Sequence, residues 1–285
     1  MKKVLITGKG SYIGTKVEEW IKEKSSDYEV RVLDVVGDDW KGFDFSGFDV
    51  VYHVAGIVHQ KNISDELYDQ VNHLLAVEVA QKAAEAGVKQ FIFMSSGAVY
   101  SQSDKKHKII AINNSSDLKP STAYGKSKLQ AEHDIAQIST NMAFAVIRPP
   151  MVYGRGARGN YNKLAYIAKK VAIFPKIDNK RSMIFIDNLC EFIRILIDSG
   201  ASGIFLPQNK EYVNTSALVQ VIAKNNGKSI HLTTVFNGVI SFAGYFVNIV
   251  NKVFGDFYYE KENYFNNAYQ LVEFEDSIRL TEAKE

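Results

Sequence analysis

Lys2-Lys3-Val4-Leu5-Ile6-Thr7-Gly8-Lys9-Gly10-Ser11-Tyr12-Ile13-Gly14 stands at the start of the chain, and its reading decides the fold. Val4 to Ile6 is a short apolar run of the kind that forms a buried strand. The glycines permit a tight turn and a close approach of backbone to a ligand. From Thr15 to Lys24 the sequence reads as a helix, whose first N–H groups would face an anion. Strand, glycine turn and helix in that order are what a dinucleotide site requires, so Gly8, Gly10, Ser11, Tyr12, Ile13 and Gly14 are candidate cofactor-binding residues. A second apolar run, Glu29-Val30-Arg31-Val32-Leu33, ends at Asp34, about 20 residues past Gly14, where an acidic side chain binds the adenosine ribose hydroxyls. A carboxylate there repels the extra phosphate of NADP, so the expected cofactor is NAD rather than NADP.

Working outward, short apolar strands keep alternating with helical stretches. Phe48 to Gly56, Gln90 to Met94 and Ala143 to Ile147 read as strands, with a helix around Asp69 to Ala86 and another at Tyr124. Such alternation implies a parallel sheet with helices on both faces. The expected fold class is therefore α/β, a Rossmann-type doubly wound parallel sheet with a smaller C-terminal substrate-binding lobe. Residues 1–150 form the NAD-binding domain in this reading, joined by returning segments near 182–200, and 151–285 form the lobe. Ligands of such sheets bind beyond the carboxyl ends of the strands, where Gly8, Asp34, His53 to Gly56, Ser95 to Tyr100 and Arg148 to Pro150 fall.

Tyr124-Gly125-Lys126-Ser127-Lys128 places a phenol and an ammonium four residues apart, on one face of a helix and one turn from each other. A free tyrosine, with a pKa of about 10, is a poor base at neutral pH. A neighbouring cation that stabilises the phenolate makes it able to move a proton to or from an alcohol oxygen.

Composition sets the outer bounds. The chain has 285 residues, 46% apolar and 12% aromatic, enough for a large α/β unit with an added lobe. Its 34 basic and 32 acidic residues leave a net charge of +2, which gives no electrostatic case for a nucleic-acid partner. One cysteine, Cys190, excludes an intramolecular disulfide and a multi-cysteine zinc site and fits a reducing cytoplasm. No metal is expected: His53, His59, His73, His107, His133 and His231 show no ligand spacing. Residues 101–119 are polar and read as a surface loop. Residues 235–254 are rich in large apolar side chains but interrupted by Asn237, Asn248, Asn251 and Lys252. They are read as a buried or lid helix, in preference to one lying on a membrane surface.

Together these stretches resemble the extended short-chain dehydrogenase/reductase family, in its nucleotide-sugar epimerase/dehydratase branch. The resemblance covers most of the chain, with the motifs in the family's order. Thr7-Gly8 to Gly14 resembles its glycine turn, His53-Val54-Ala55-Gly56 its H-x-A-[AG] segment, and Asn72 its helix asparagine. Phe93-Met94-Ser95-Ser96-Gly97-Ala98-Val99-Tyr100 is similar to its S-S-x-x-V-Y segment. Pro120 with Tyr124 to Lys128 resembles P-x-x-x-Y-x-x-x-K, Arg148-Pro149-Pro150-Met151-Val152-Tyr153-Gly154 resembles R-P-x-x-V-Y-G, and Arg181 with Asp187 the late R-x-x-x-x-[VI]-D segment.

The resemblance implies roles. Ser96 would hydrogen-bond the substrate hydroxyl, Tyr124 would be the acid/base, and Lys128 would bind the nicotinamide ribose and tune Tyr124. Val54, Ala55, Gly56, Asn72 and Pro149 would complete the cofactor site. Asn160, Arg155, Arg158 and Arg181 would hold the diphosphate of a UDP- or dTDP-hexose, a task for which guanidinium groups are suited. Phe174-Pro175 is either a clamp beside the base or core. Homodimers are common in the family. The implied activity is NAD-dependent epimerisation of a nucleotide sugar by transient hydride transfer at C4. The alternatives are reduction of a 4-keto nucleotide sugar and, in another class, non-catalytic dinucleotide binding. Two departures qualify this. Ser11 stands where the family's G-x-x-G-x-x-G has its middle glycine, with Lys9 in the turn favouring NADP against Asp34. Gly97 and Ala98 stand where sugar 4,6-dehydratases carry an Asp-Glu pair, and neither can move a proton, which argues against dehydration. Glu132 and Asp134 are read as a solvated helix face.

Overall fold

The computed structural model describes residues 1–58, 63–100, 111–138, 141–235, 237–238 and 253–283. Strand β1 (Lys2–Thr7) runs parallel to β2 (Tyr28–Leu33) on one side and β3 (Val50–His53) on the other, with helix α1 (Tyr12–Lys24) between β1 and β2 in the chain. After β3 come the short helix α2 (Asp65–Asp69), a π-helical turn over Gln70–Leu74 and α3 (Leu75–Glu85). The helix expected from Asp69 thus begins four residues earlier, where the Ser64 side chain accepts from Leu67 N–H as an N-cap. Strand β4 (Gln90–Met94), α4 (Ala123–Ile138) and β5 (Ala143–Ile147) follow. The chain then passes through β6 (Met151–Tyr153), α5 (Asn160–Ala168), β7 (Ile173–Pro175), β8 (Met183–Phe185) and α6 (Ile186–Ser199) before β9 (Gly203–Phe205).

The main sheet has six parallel strands in the order β2-β1-β3-β4-β5-β9. Strands β3 and β4 are buried along their whole length, as expected of a parallel sheet covered on both faces. Leu5, Val51, Phe91 and Phe93 of the sheet join Val79, Ala80, Ala83, Ala131 and Ile135 of α3 and α4 in one apolar cluster. The order reverses at β1, whose successor β2 lies on one side and β3 on the other. That places a ligand crevice at the carboxyl ends of these strands.

Two compact units divide the chain. The first comprises Met1–Ser101, Asp117–Pro149 and Leu189–Pro207, and the second Gln102–Ser116, Pro150–Asn188 and Gln208–Glu285. Beyond Pro150, where the sequence pattern reads as irregular, the second unit is built from short regular pieces. Strand β6 pairs with β8, and β7 with β10 (His231–Thr233), while α5 packs against α7 (Thr215–Asn225). A buried polar knot ties these elements: Tyr153 Oη meets Ser277 Oγ at 2.5 Å and accepts from Asn209 Nδ2, and Asn209 Oδ1 accepts from Phe185 N–H and Asn188 Nδ2. Phe174 is buried against the Phe254 ring, the core alternative for Phe174-Pro175. Most of 235–254 and of 101–119 lies outside the described residues, as do His59 and His107. Among the described residues no helix is long and apolar enough to cross a membrane.

Candidate active site

The glycine turn explains its own departure from the usual spacing. Gly8 and Gly10 have φ of 115° and 74°, values that only glycine adopts without strain. Ser11 instead has φ −69°, ψ 140° and is the N-cap of α1, its Oγ accepting from Gly14 N–H. A serine serves there because the backbone asks for a cap rather than for positive φ. The turn is held close to the end of β3: a Cβ on Gly8 would lie 2.7 Å from Ala55 N, and one on Gly14 3.0 Å from Val54 Cγ1. Tyr12 and Ile13 begin α1 and are half-buried.

A cavity of about 690 Å³ opens at this switch point. Gly8, Lys9, Gly10 and Ser11 line it with Asp34 from the end of β2, Ala55, Gly56 and Ile57 from the end of β3, and Gln70, Val71 and Leu74 from the π-turn. Asp34 is exposed, and its Oδ1 accepts from Val36 N–H at 3.0 Å, an Asx turn that aims the carboxylate. Backbone that glycine alone can form, a helix N-terminus and a carboxylate across the cavity fit a nicotinamide dinucleotide. Asn72, fully buried in the π-turn, accepts from Ile57 N–H and donates to Ile57 C=O. It fixes the segment after β3, and a Cβ on Gly56 would meet its Oδ1 at 2.7 Å and Lys128 Nζ at 3.2 Å. A π-turn at this point matches the frequent use of such irregularities at functional sites.

Helix α4 starts with Thr122 Oγ1 accepting from Gly125 N–H, and its first turn is pressed onto the turn after β4. A Cβ on Gly125 would sit 2.4 Å from Ala98 C=O. That contact brings Tyr124, Lys128 and Ser96 together. Ser96 hydrogen-bonds Tyr124, and its Oγ also accepts from Ala98 N–H. Lys128 Nζ donates to Met94 C=O at 3.0 Å and lies 4.6 Å from the Phe93 ring centroid. Pro149 is buried, its C=O accepting from Gly97 N–H, which joins the end of β5 to the same turn.

The electrostatics depart from the sequence expectation. Burial pushes the Tyr124 phenol above its ordinary value, with the Ser96 hydrogen bond opposing and Tyr68 adding to the rise. Lys128 does not lower it here, because burial drives that ammonium down to about 7 and its proton is directed at Met94 C=O. Burial, helped by the charge of Lys128, holds His53 down to about 3. His53 is a neutral core residue whose Nδ1 meets Thr7 Oγ1 at 2.7 Å between the Phe91 and Phe93 rings.

Glu132 requires a correction. It lies in the body of α4 and is 6% exposed, so it is not on a solvated face. Its carboxylate accepts from Ser95 Oγ and from Arg148 Nε and Nη2, the latter at 2.5 Å. Arg148 Nη1 in turn donates to Tyr100 Oη at 2.7 Å. Asp134 is half-buried and bonds His73 of the π-turn as well as His133 and Gln130. Sequence reading also passes over Tyr68, whose buried ring meets Tyr124 edge-on at 6.2 Å. The signal for Glu132 was present: residues 124, 128 and 132 are spaced by four and share a helix face.

The remaining candidates belong to the second unit. Arg155, Arg158 and Asn160 are exposed, Asn160 opening α5. Arg181 is half-buried and donates from Nη1 to Gly255 C=O at 2.7 Å.

Comparison with known proteins places this geometry. The profile of the NAD dependent epimerase/dehydratase family matches residues 4–206, and the chain belongs to that family. It is 30% identical over 249 residues to a UDP-glucose 4-epimerase of Vibrio cholerae, covering 78% of this chain and 75% of that protein. It is 29% identical over 283 residues to N-acetyl-alpha-D-glucosaminyl-diphospho-ditrans,octacis-undecaprenol 4-epimerase of Escherichia coli O157:H7, covering 90% and 82%. Among solved structures, the fold matches UDP-glucuronic acid 4-epimerase of Bacillus cereus in complex with NAD, with a TM-score of 0.74 at 17% identity over 98% of this chain and 97% of that one. It also matches dTDP-4-dehydrorhamnose reductase of Bacillus anthracis in complex with NADP, with a TM-score of 0.72 at 16% identity over 99% and 98%.

Proposed function

We propose that this protein interconverts two C4 epimers of a UDP- or dTDP-hexose, using NAD that is regenerated within each cycle. The observation that carries the reading is the hydrogen-bonded Ser96–Tyr124 pair with Lys128 one turn further along α4, set at the end of β4 in a chain of the epimerase/dehydratase family. A bound nicotinamide dinucleotide supplies the acceptor and later the donor of a hydride. Tyr124 takes the proton of the sugar hydroxyl as the C4–H bond breaks and returns it when the resulting ketone is reduced. Ser96 hydrogen-bonds the same oxygen and orients it. Lys128, one turn further along α4, is assigned to the nicotinamide ribose. Arg155, Arg158, Asn160 and Arg181 are assigned to the diphosphate on donor chemistry.

Incubating the purified protein with a panel of UDP- and dTDP-hexoses, and following anomeric protons by NMR, tests the reading. Interconversion without added reductant is the expected result. Stoichiometric oxidation of NADH or NADPH, with no interconversion in its absence, would instead make the protein a 4-keto-sugar reductase. A lipid-linked diphospho-sugar belongs in the same panel for a specific reason. The Escherichia coli relative that acts on such a substrate aligns over 90% of this chain, and residues 235–254 contain no acidic side chain among their large apolar ones.

NAD is assigned over NADP on Asp34. The variant Asp34→Ala is expected to improve NADPH affinity relative to NADH by about tenfold, equivalent to about 1.4 kcal/mol. Titration of both reduced cofactors by protein fluorescence measures it, and an unchanged ratio would remove Asp34 as the selector.

A further inference from the structure

Three successive residues at the end of β4 are tied to three successive turns of α4. Met94 C=O accepts from Lys128 Nζ, Ser95 Oγ donates to Glu132, and Ser96 hydrogen-bonds Tyr124. The first and third ties hold residues already assigned to the chemistry. The middle one ends on a carboxylate to which no part in the chemistry is assigned above, yet it is buried and also accepts from Nε and Nη2 of the Arg148 guanidinium. Burying a carboxylate is costly unless it is fully paired, and an apolar residue would fill the space between α4 and β4 at lower cost. Its placement is explained if the bond to Ser95 and the negative charge are both used.

We propose that Glu132 is a positioning residue of the epimerase: held by Arg148, it fixes the register of the β4 end against α4 so that Ser96 and Tyr124 meet, and it keeps the neighbouring Lys128 cationic. The inference rests on the assignment of Ser96, Tyr124 and Lys128 above. Its geometric part follows from adjacency. Ser95 and Ser96 are consecutive in an extended stretch, so a bond that stops Ser95 from sliding along α4 also sets the distance from Ser96 to the phenol. Its electrostatic part follows from the helix. Glu132 lies one turn beyond Lys128, both are buried, and its charge opposes the effect of burial on the ammonium. The other titratable or charged groups facing this set are His53 from β3, Tyr68 from α2, Tyr124 within α4, Tyr100 from the β4–α4 connection and Arg148 from the end of β5. His53 is neutral over the working range, so Glu132 is the anion in this set.

Two variants separate the parts. Glu132→Gln keeps the shape and removes the charge. Lys128 then loses its proton at lower pH, and the basic limb of the kcat–pH profile moves down by about one unit, with kcat reduced about 10²-fold and KM little changed. Ser95→Ala keeps the charge and removes the tie. It is expected to lower kcat about tenfold with the limb where it was. Thermal melting and NADH titration of both full-length proteins are run alongside. A purely structural Glu132 predicts lower melting temperatures with wild-type kcat and pH profile for the folded fraction in both variants, and that result overturns the proposal. If Glu132→Gln fails to fold, Ser95→Ala decides alone, since unchanged kcat there removes the register role. Normal turnover by Tyr124→Phe would instead sink the underlying assignment, a separately recognisable outcome.

Discussion

Tyr124→Phe is expected to lower kcat by about 10³-fold, the range that a lost acid/base group costs, or about 4 kcal/mol of transition-state stabilisation. It should leave dinucleotide affinity and the melting temperature almost unchanged. The second half follows from the packing. The phenylalanine ring keeps the edge-on contact with Tyr68. Ser96 loses its bond to the phenol, but its Oγ still accepts from Ala98 N–H, which limits the cost of the change. The cavity at the switch point is lined by other residues. The substitution therefore removes one proton-transfer group and little else. Single-turnover measurements on a nucleotide hexose, with NADH titration and thermal melting on the same sample, check all three expectations. A kcat within a few-fold of wild type would show that the proton travels by another group.

Why the phenol needs help is itself informative. Burial raises the Tyr124 phenol and lowers the Lys128 ammonium, so the site disfavours charge on both partners. Dry surroundings strengthen each remaining charge–charge interaction, and the Ser96 hydrogen bond works against the rise. The Tyr-x-x-x-Lys spacing places the two groups on one face. What decides their protonation is burial and which neighbours face them: Ser96 from the turn after β4 and Tyr68 from α2 for the phenol, and Glu132 of α4 itself for the ammonium.

This is also where legibility in the sequence ends. The Rossmann-type sheet could be read from the chain because β1, β3, β4 and β5 are largely buried apolar runs and the turn after β1 carries glycines at positive φ, both local properties. Ser11 illustrates the boundary. Against a glycine pattern it looks like a defect, and only its φ and its bond to Gly14 N–H identify a helix cap. The start of α2 was missed because the Ser64 cap is followed by a helix that changes to a π-turn within five residues, which breaks the period. Glu132 was misread because hydropathy assigns charged residues to the solvent, whereas its partners Ser95 and Arg148 are 37 and 16 residues away. Pairings across the sheet are not written in any local window.

That misreading leads to the largest stability effect expected of a single substitution. Arg148→Met should destabilise the fold by about 3–5 kcal/mol, because it removes the bidentate partner of a carboxylate that stays buried. After the change Ser95 is the hydrogen-bond partner left to Glu132 among the described residues, and the bond from Arg148 Nη1 to Tyr100 Oη is lost. Arg148 holds its charge strongly: burial works against it, but the bonds and charge of Glu132 raise the guanidinium above its ordinary value. The double variant Glu132→Gln/Arg148→Met removes both charges and should recover part of the loss, since an amide is far cheaper to bury than a lone carboxylate. Urea unfolding of the wild type, the two single variants and the double variant gives the coupling energy of the pair directly. A loss below about 1 kcal/mol for Arg148→Met, the scale of an exposed ion pair, would mean that the carboxylate reaches water or takes up a proton. In that case the pair could not act as the fixed support from which Ser95 is held.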